Sequence, residues 1–216
     1  NESFAAKLSH EELATILIHE VLHVLFKHFR RSDVLEIKSQ EDRINWNLAG
    51  DCAINTVLKG MEMEFPKWKN ILEEGEELPD GKTPESLVGV FPSDFGLEDG
   101  KLTEYYYGEI KKQQQSEKNG EGLGQVKGVM SGECGEAAGN PGGYEHPTDG
   151  STGPDGDSVH PGRSEADVDI TAQQVAEKVS KEAEKGRGNI PAGLKVWADE
   201  LLKPPKIRWQ QKLKDV

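Results

Sequence analysis

The chain has 216 residues, 34% hydrophobic and 30% charged, and carries a formal net charge of −13 at pH 7. That is too little apolar material to pack the whole length in one uniform core, so a modest domain with a solvated part is expected. The negative balance argues against nucleic acid or an anionic membrane surface as a partner.

Near the start, Ser9-His10-Glu11-Glu12 has the form of a capping box: Ser9 accepts from the backbone N–H three residues on, and Glu12 reaches back to the Ser9 N–H. A helix should begin near His10. From Leu13 to Phe29 it contains no Gly or Pro. Leu13, Ile16, Leu17, Ile18, Val21, Leu22, Val24, Leu25, Phe26 and Phe29 leave it apolar nearly all round, which reads as a fully buried helix. Inside it lies His19-Glu20-Val21-Leu22-His23. HExxH on a helix sets two imidazoles one turn apart on one face with a carboxylate beside them, the metal-and-base pair of a zinc peptidase. Burying these three groups without partners is costly, and a divalent cation satisfies them together. Two core histidines hydrogen-bonded to backbone are the plainer alternative.

A catalytic zinc site needs a third protein ligand and an open position for water. His28 is nearest in sequence. If the helix is continuous, His28 lies about 140° round from His23, away from the metal. It then reads as a solvated residue near the helix end, where its charge, with Lys27, Arg30 and Arg31, suits the C-terminal dipole. A second helix is expected from Trp46 to Leu58, with Gly60 as its cap. On it Asn47, Asp51 and Asn55 fall at i, i+4 and i+8, a stripe of short polar side chains on an otherwise apolar helix. Asp51 is the expected third ligand, with Asn47 and Asn55 orienting it; a solvent-facing polar stripe is the alternative.

These residues carry a resemblance. The stretch from Asn1 to Leu58, with EELATILIHEVLHVLFKHFRR and then WNLAGDCAIN, resembles the metallopeptidase domain of bacterial proteins in which a von Willebrand factor A-like domain follows. The stretch GNIPAGLKVWADELLKPPKIRWQQKLKDV is similar to the segment of that family leading into the von Willebrand-like domain. The resemblance implies a zincin-like core, His19, His23 and Asp51 as zinc ligands, and Glu20 as catalytic base. A von Willebrand-like domain is implied as a partner.

After Gly60, Met61 to Leu87 mixes Pro66, Gly75, Pro79, Gly81 and Pro84 with acidic residues and reads as a surface excursion. Leu87 to Phe91 looks weakly like a strand. Thr103 to Lys112 reads as a helix capped by Thr103, with Tyr106 and Ile110 one turn apart. Tyr105, Tyr106 and Tyr107 are candidate donors to an oxyanion, although such clusters more often serve packing. From Gln113 to about Asp167 the chain is rich in Gly, Ser, Asp, Glu and Pro and should be a linker or draped loop. Within it Cys134, His146 and His160 are candidate visitors to the open zinc position, or ordinary loop residues. Ile170 to Lys185 reads as an amphipathic helix. Another starts at Pro191 and stops at Pro204-Pro205, and Trp209 and Leu213 begin a last turn or two. The last helices either pack back on the metal core or join it to a neighbouring domain.

No apolar run reaches the length of a membrane span, and the polar stretch from Asn1 to His10 lacks the order of a signal peptide. The two cysteines, Cys52 and Cys134, give no disulfide framework, so the cytoplasm is the expected compartment. The expected fold is mainly α, in the α+β sense, with a zincin-like metallopeptidase core over 1–112, a Gly-rich linker over 113–167 and a helical C-terminal segment over 168–216. The expected chemistry is peptide-bond hydrolysis, with zinc on His19, His23 and Asp51 activating a water and Glu20 as general base. Two rivals stand beside it: a non-catalytic scaffold that keeps zinc for structure and works with a von Willebrand-like domain or an ATPase as partner, and a metal-dependent hydrolase acting on a non-peptide bond.

Overall fold

The computed structural model describes residues 5–72, 77–79, 81–118, 165–186 and 190–204. Their helices are α1 (His10–Leu25), α2 (His28–Val34), α3 (Gln40–Gly60), α4 (Trp68–Ile71), α5 (Thr103–Lys118), α6 (Glu165–Glu184) and α7 (Ala192–Leu201), with a 3-10 turn at Pro92–Phe95. No strand forms among the described residues. An isolated antiparallel bridge between Lys67 and Leu87 is all that appears near the strand expected at Leu87 to Phe91. Two residues on, Gly89 takes a φ of +128°. The β part of the expected α+β class is therefore not found in these residues, and the described architecture is helical.

The capping box forms as read. Ser9 Oγ accepts from the Glu12 N–H at 3.1 Å, and the Ser9 N–H donates to Glu12 Oε2 at 2.8 Å. α3 is capped in a related way, with Ser39 Oγ accepting from the Asp42 N–H at 3.0 Å. α3 is the central element: every residue from Asn45 to Leu58 is buried. α1 packs on one side of it, α5 on another, and α7 near its C-terminal end.

Two apolar clusters share α3. Leu22 and Phe26 of α1, Ile54, Val57 and Leu58 of α3, Ala172 and Ala176 of α6, and Trp197 and Ala198 of α7 form one. Leu48, Ala49, Cys52 and Ala53 pack with Val90, Phe95, Tyr106 and Ile110 in the other. The C-terminal helices thus pack back on the HExxH helix and its partner. The Phe26 and Trp197 rings stack with centroids 5.1 Å apart. α5 runs on to Lys118, six residues past the expected end, and α6 begins at Glu165, before the expected Ile170.

Two expectations about the first helix are corrected. It is not buried all round: Leu17, Val21 and Val24 are 59%, 62% and 58% exposed, because nothing among the described residues covers the face opposite α3. Nor is it continuous to Phe29. It ends at Leu25, and Lys27 takes a left-handed conformation (φ 56°, ψ 40°) before α2 starts at His28. A left-handed lysine costs about 1–2 kcal/mol. Several contacts offset that cost at the break. Arg31 Nη1 donates to the Phe26 carbonyl at 3.0 Å, and Trp46 Nε1 donates to the His28 carbonyl at 3.0 Å. The Arg31 guanidinium also forks onto the Glu104 carboxylate of α5, with Nε to Oε1 at 2.9 Å. From α6, Asp169 meets Lys27 Nζ at 2.6 Å and Arg30 Nη1 at 3.1 Å.

Candidate metal centre

α1 and α3 run antiparallel, so that His19 lies opposite Asn55 and His23 opposite Asp51. This crossing turns the polar stripe of α3 onto the HExxH face. His19 Nε2, His23 Nε2 and Asp51 Oδ1 form a triangle with sides of 2.9 Å between the nitrogens, 3.5 Å from His19 to Asp51 and 3.2 Å from His23 to Asp51. All three residues are buried, and their donor atoms are close enough together to hold one metal ion. Tetrahedral zinc with ordinary N and O bond lengths sets its ligand atoms about 3.3 Å apart, and the three sides bracket that value.

The polar bookkeeping of the site also favours a cation. Asp51 Oδ1 is buried and makes no hydrogen bond of good geometry, its nearest polar neighbours being the Nε2 atoms of the two imidazoles. A buried carboxylate oxygen in that state is costly unless a positive charge meets it. Burial alone would push His19 down, but Asp51 outweighs it, helped by Asn55 and Glu20, and His19 titrates above its ordinary value. Burial would likewise raise Asp51, and the two histidines instead hold its carboxyl below the usual range.

The far nitrogens of both histidines are occupied. Asn55 Nδ2 donates to the Val90 carbonyl at 2.9 Å, which turns Asn55 Oδ1 toward His19. His19 Nδ1–H donates to that oxygen at 2.8 Å. With its proton on Nδ1, neutral His19 presents a lone pair at Nε2, toward Asp51 and His23. Asn55 therefore orients His19 and not Asp51, a correction to the expected pairing. Asn47 Oδ1 is buried without a hydrogen-bond partner, so no bond to Asp51 is formed there either.

His28 departs furthest from expectation. It is fully buried, not solvated, because the break at Lys27 swings it beneath the site. Its Nδ1 lies 3.0 Å from His23 Nδ1, and its Nε2 lies 2.9 Å from Thr103 Oγ1 at the start of α5. Burial, with the charges of His23 and Arg31 beside it, pushes its pKa well below the ordinary range and keeps the ring neutral. The notch that receives it is Gly50. A Cβ there would stand 2.9 Å from His28 Nδ1 and 3.5 Å from His23 Cε1. Gly in a helix interior is destabilising by about 1 kcal/mol relative to Ala. A lone Gly beside Asp51 in an otherwise good helix was thus the one sequence signal that another group approaches α3 here.

Glu20, expected to be buried with the two histidines, is instead exposed on α1, and its charge contributes to raising His19. The tyrosines serve packing and tethering. Tyr106 is buried, with its hydroxyl donating to the Glu98 carbonyl at 2.9 Å and accepting from the Lys101 N–H at 3.1 Å. Tyr107 donates to Asp42 Oδ1 at 3.0 Å. Cys134, His146 and His160 lie outside the described residues, as do Trp209 and Leu213.

Among the described residues no helix is long and apolar enough to cross a membrane. Comparison with curated proteins and with solved structures finds no match. A family model does match, over residues 1–216, and its description is "Putative metallopeptidase domain". A buried His-His-Asp group able to hold a metal, built on an HExxH helix, accords with that description, and the chain belongs to this metallopeptidase-domain family.

Proposed function

We propose that the chain is a zinc-dependent peptidase that hydrolyses peptide bonds at the His19, His23 and Asp51 site, with Glu20 as general base. The observation that carries this reading is the triangle of donor atoms with an orphaned Asp51 oxygen at one corner. Bound there, zinc would act as a Lewis acid toward the scissile carbonyl and make water acidic enough to deprotonate near neutral pH.

The chain's own residues would do the rest. His19 and His23 would offer their Nε2 atoms and Asp51 the third donor, with Asn55 holding His19 from behind. Three protein donors among the described residues leave a tetrahedral ion one position for water, which favours a catalytic over a purely structural site. On this reading Glu20, next to His19 in the sequence, would take the proton of the attacking water and return it to the leaving amine. Peptides or proteins are the substrates on this reading. The von Willebrand-like domain implied by the resemblance is proposed as a partner.

The test is metal content followed by hydrolysis. Protein prepared without chelator should carry about one zinc per chain, and His19→Ala should lose it. Glu20→Gln should keep zinc while abolishing cleavage of a peptide library. Zinc lost from Glu20→Gln to the same extent as from His19→Ala would make Glu20 a ligand and end this assignment.

A further inference from the structure

From this site we infer that His28 and Thr103 are positioning residues for the metal centre: they hold His23 in the one tautomer that can bind zinc through Nε2. The inference rests on the proposed zinc site and adds to it a three-residue line running from the ion's ligand to α5.

The argument is one of lone pairs and protons. His23 directs Nε2 toward His19 and Asp51, so a metal there requires the Nε2 lone pair and puts the ring's proton on Nδ1. That Nδ1–H needs an acceptor, because it is buried and its closest polar neighbour is another ring nitrogen, His28 Nδ1 at 3.0 Å. His28 accepts only if its own proton is on Nε2. There it meets Thr103 Oγ1 at 2.9 Å, which accepts in turn. With a metal on His23 Nε2, one arrangement satisfies every member, with protons in the order His23 Nδ1–H to His28 Nδ1 and His28 Nε2–H to Thr103 Oγ1. The reverse order puts the His23 proton on Nε2, where it faces the metal and blocks it.

Three independent features hold this line in place. The left-handed turn at Lys27 delivers His28 to a position that a continuous helix could not reach. The Trp46 indole fixes the His28 backbone through its carbonyl. Gly50 leaves out the one Cβ that would fill the space beside the His23 to His28 contact. The metal ligands and the first turn of α5 are thereby joined through hydrogen bonds between side chains, so a shift of α5 is felt at His23.

The experiment uses zinc-loaded chain and three substitutions. Chelator competition should give a zinc affinity about 10–100-fold weaker for His28→Leu, which removes the acceptor. His28→Asn places a carbonyl oxygen near the position of Nδ1 and should recover most of that loss, which a merely space-filling role would not predict. Thr103→Val should shift the visible absorption of the cobalt-substituted protein with the fold intact. Nitrogen NMR of the unsubstituted zinc-loaded chain reads the tautomers directly and does not depend on any variant folding: His23 should carry its proton on Nδ1 and His28 on Nε2. His28 protonated on Nδ1 in the zinc-loaded chain, or unchanged zinc affinity and cobalt spectrum in His28→Leu, would overturn the inference while leaving the zinc site standing. A parent chain that binds no zinc would remove the site itself and the inference with it.

Discussion

Gly50 and His28 meet so closely that a single methyl group on residue 50 would stand 2.9 Å from the His28 ring nitrogen. His28 cannot retreat, because Thr103 lies behind it and its carbonyl is held by Trp46. Gly50→Ala should therefore disturb His23 even though alanine favours the helix by about 1 kcal/mol. The expected result is a loss of zinc affinity of at least about tenfold, read by chelator competition. Unchanged zinc binding together with a raised melting temperature would mean that the two histidines are free to shift.

Asn55 and Asn47 belong to the same stripe of α3 but not to the same task. Asn55→Leu removes the acceptor from His19 Nδ1–H and leaves the Val90 carbonyl without its donor. Zinc should be held about 10–100-fold more weakly. Asn47→Ala removes a side chain whose oxygen has no partner and should leave affinity close to that of the parent. Equal losses in the two variants would contradict the division of roles.

Acidity should act in opposite directions on the metal-free and zinc-loaded forms. In the metal-free chain burial opposes protonation of His19, but Asp51 outweighs it and raises the pKa above the ordinary 6.5. Such a group stabilises the fold fully below its unfolded value, and the contribution disappears as pH rises through the raised value. Asp51, held below its ordinary 3.8, contributes above that value and loses its contribution as pH falls through the lowered one. Zinc instead needs the His19 nitrogen unprotonated, so its binding strengthens with pH. Thermal unfolding with and without chelator from about pH 6 to about pH 8 should therefore show a widening gap between the two melting temperatures. A gap that narrows over this range would show that His19 does not compete with zinc for a proton.

Trp197 tests whether the C-terminal helices belong to the metal core. It is buried against Phe26, one turn beyond Leu22 on the break side of α1. Trp197→Ala should destabilise by about 3–5 kcal/mol in chemical denaturation, the usual cost of truncating a buried aromatic. A change below about 1 kcal/mol would place α7 outside the cooperative unit.

Much of the site was legible from local rules. Ser9 and Glu12 mark the start of α1 because both bonds of a capping box are made within four residues. His19 and His23 are brought together by helical period alone. Asp51 stands out because short polar side chains at a spacing of four on a buried helix need an unusual partner, and period again sets them on one face.

What period could not supply is the position of one helix relative to another. Lys27 carries no sequence signal for a left-handed turn, since lysine disfavours that region as other side chains do. The break exists because Arg31, Trp46, Glu104 and Asp169, scattered over about 140 positions of sequence, converge on it and together outweigh its cost. With α1 taken as continuous, His28 belonged to solvent; with it broken, His28 lies under His23. The role of Asn55 was hidden in the same way, because the antiparallel crossing of α1 and α3 decides that it faces His19. The exposed stripe of Leu17, Val21 and Val24 is a further instance: composition says such a helix is buried, but only the packed neighbours decide which of its faces are covered. Local spacing thus determined which side chains the candidate metal site is made from, while contacts between residues far apart in sequence decided what stands behind each of them.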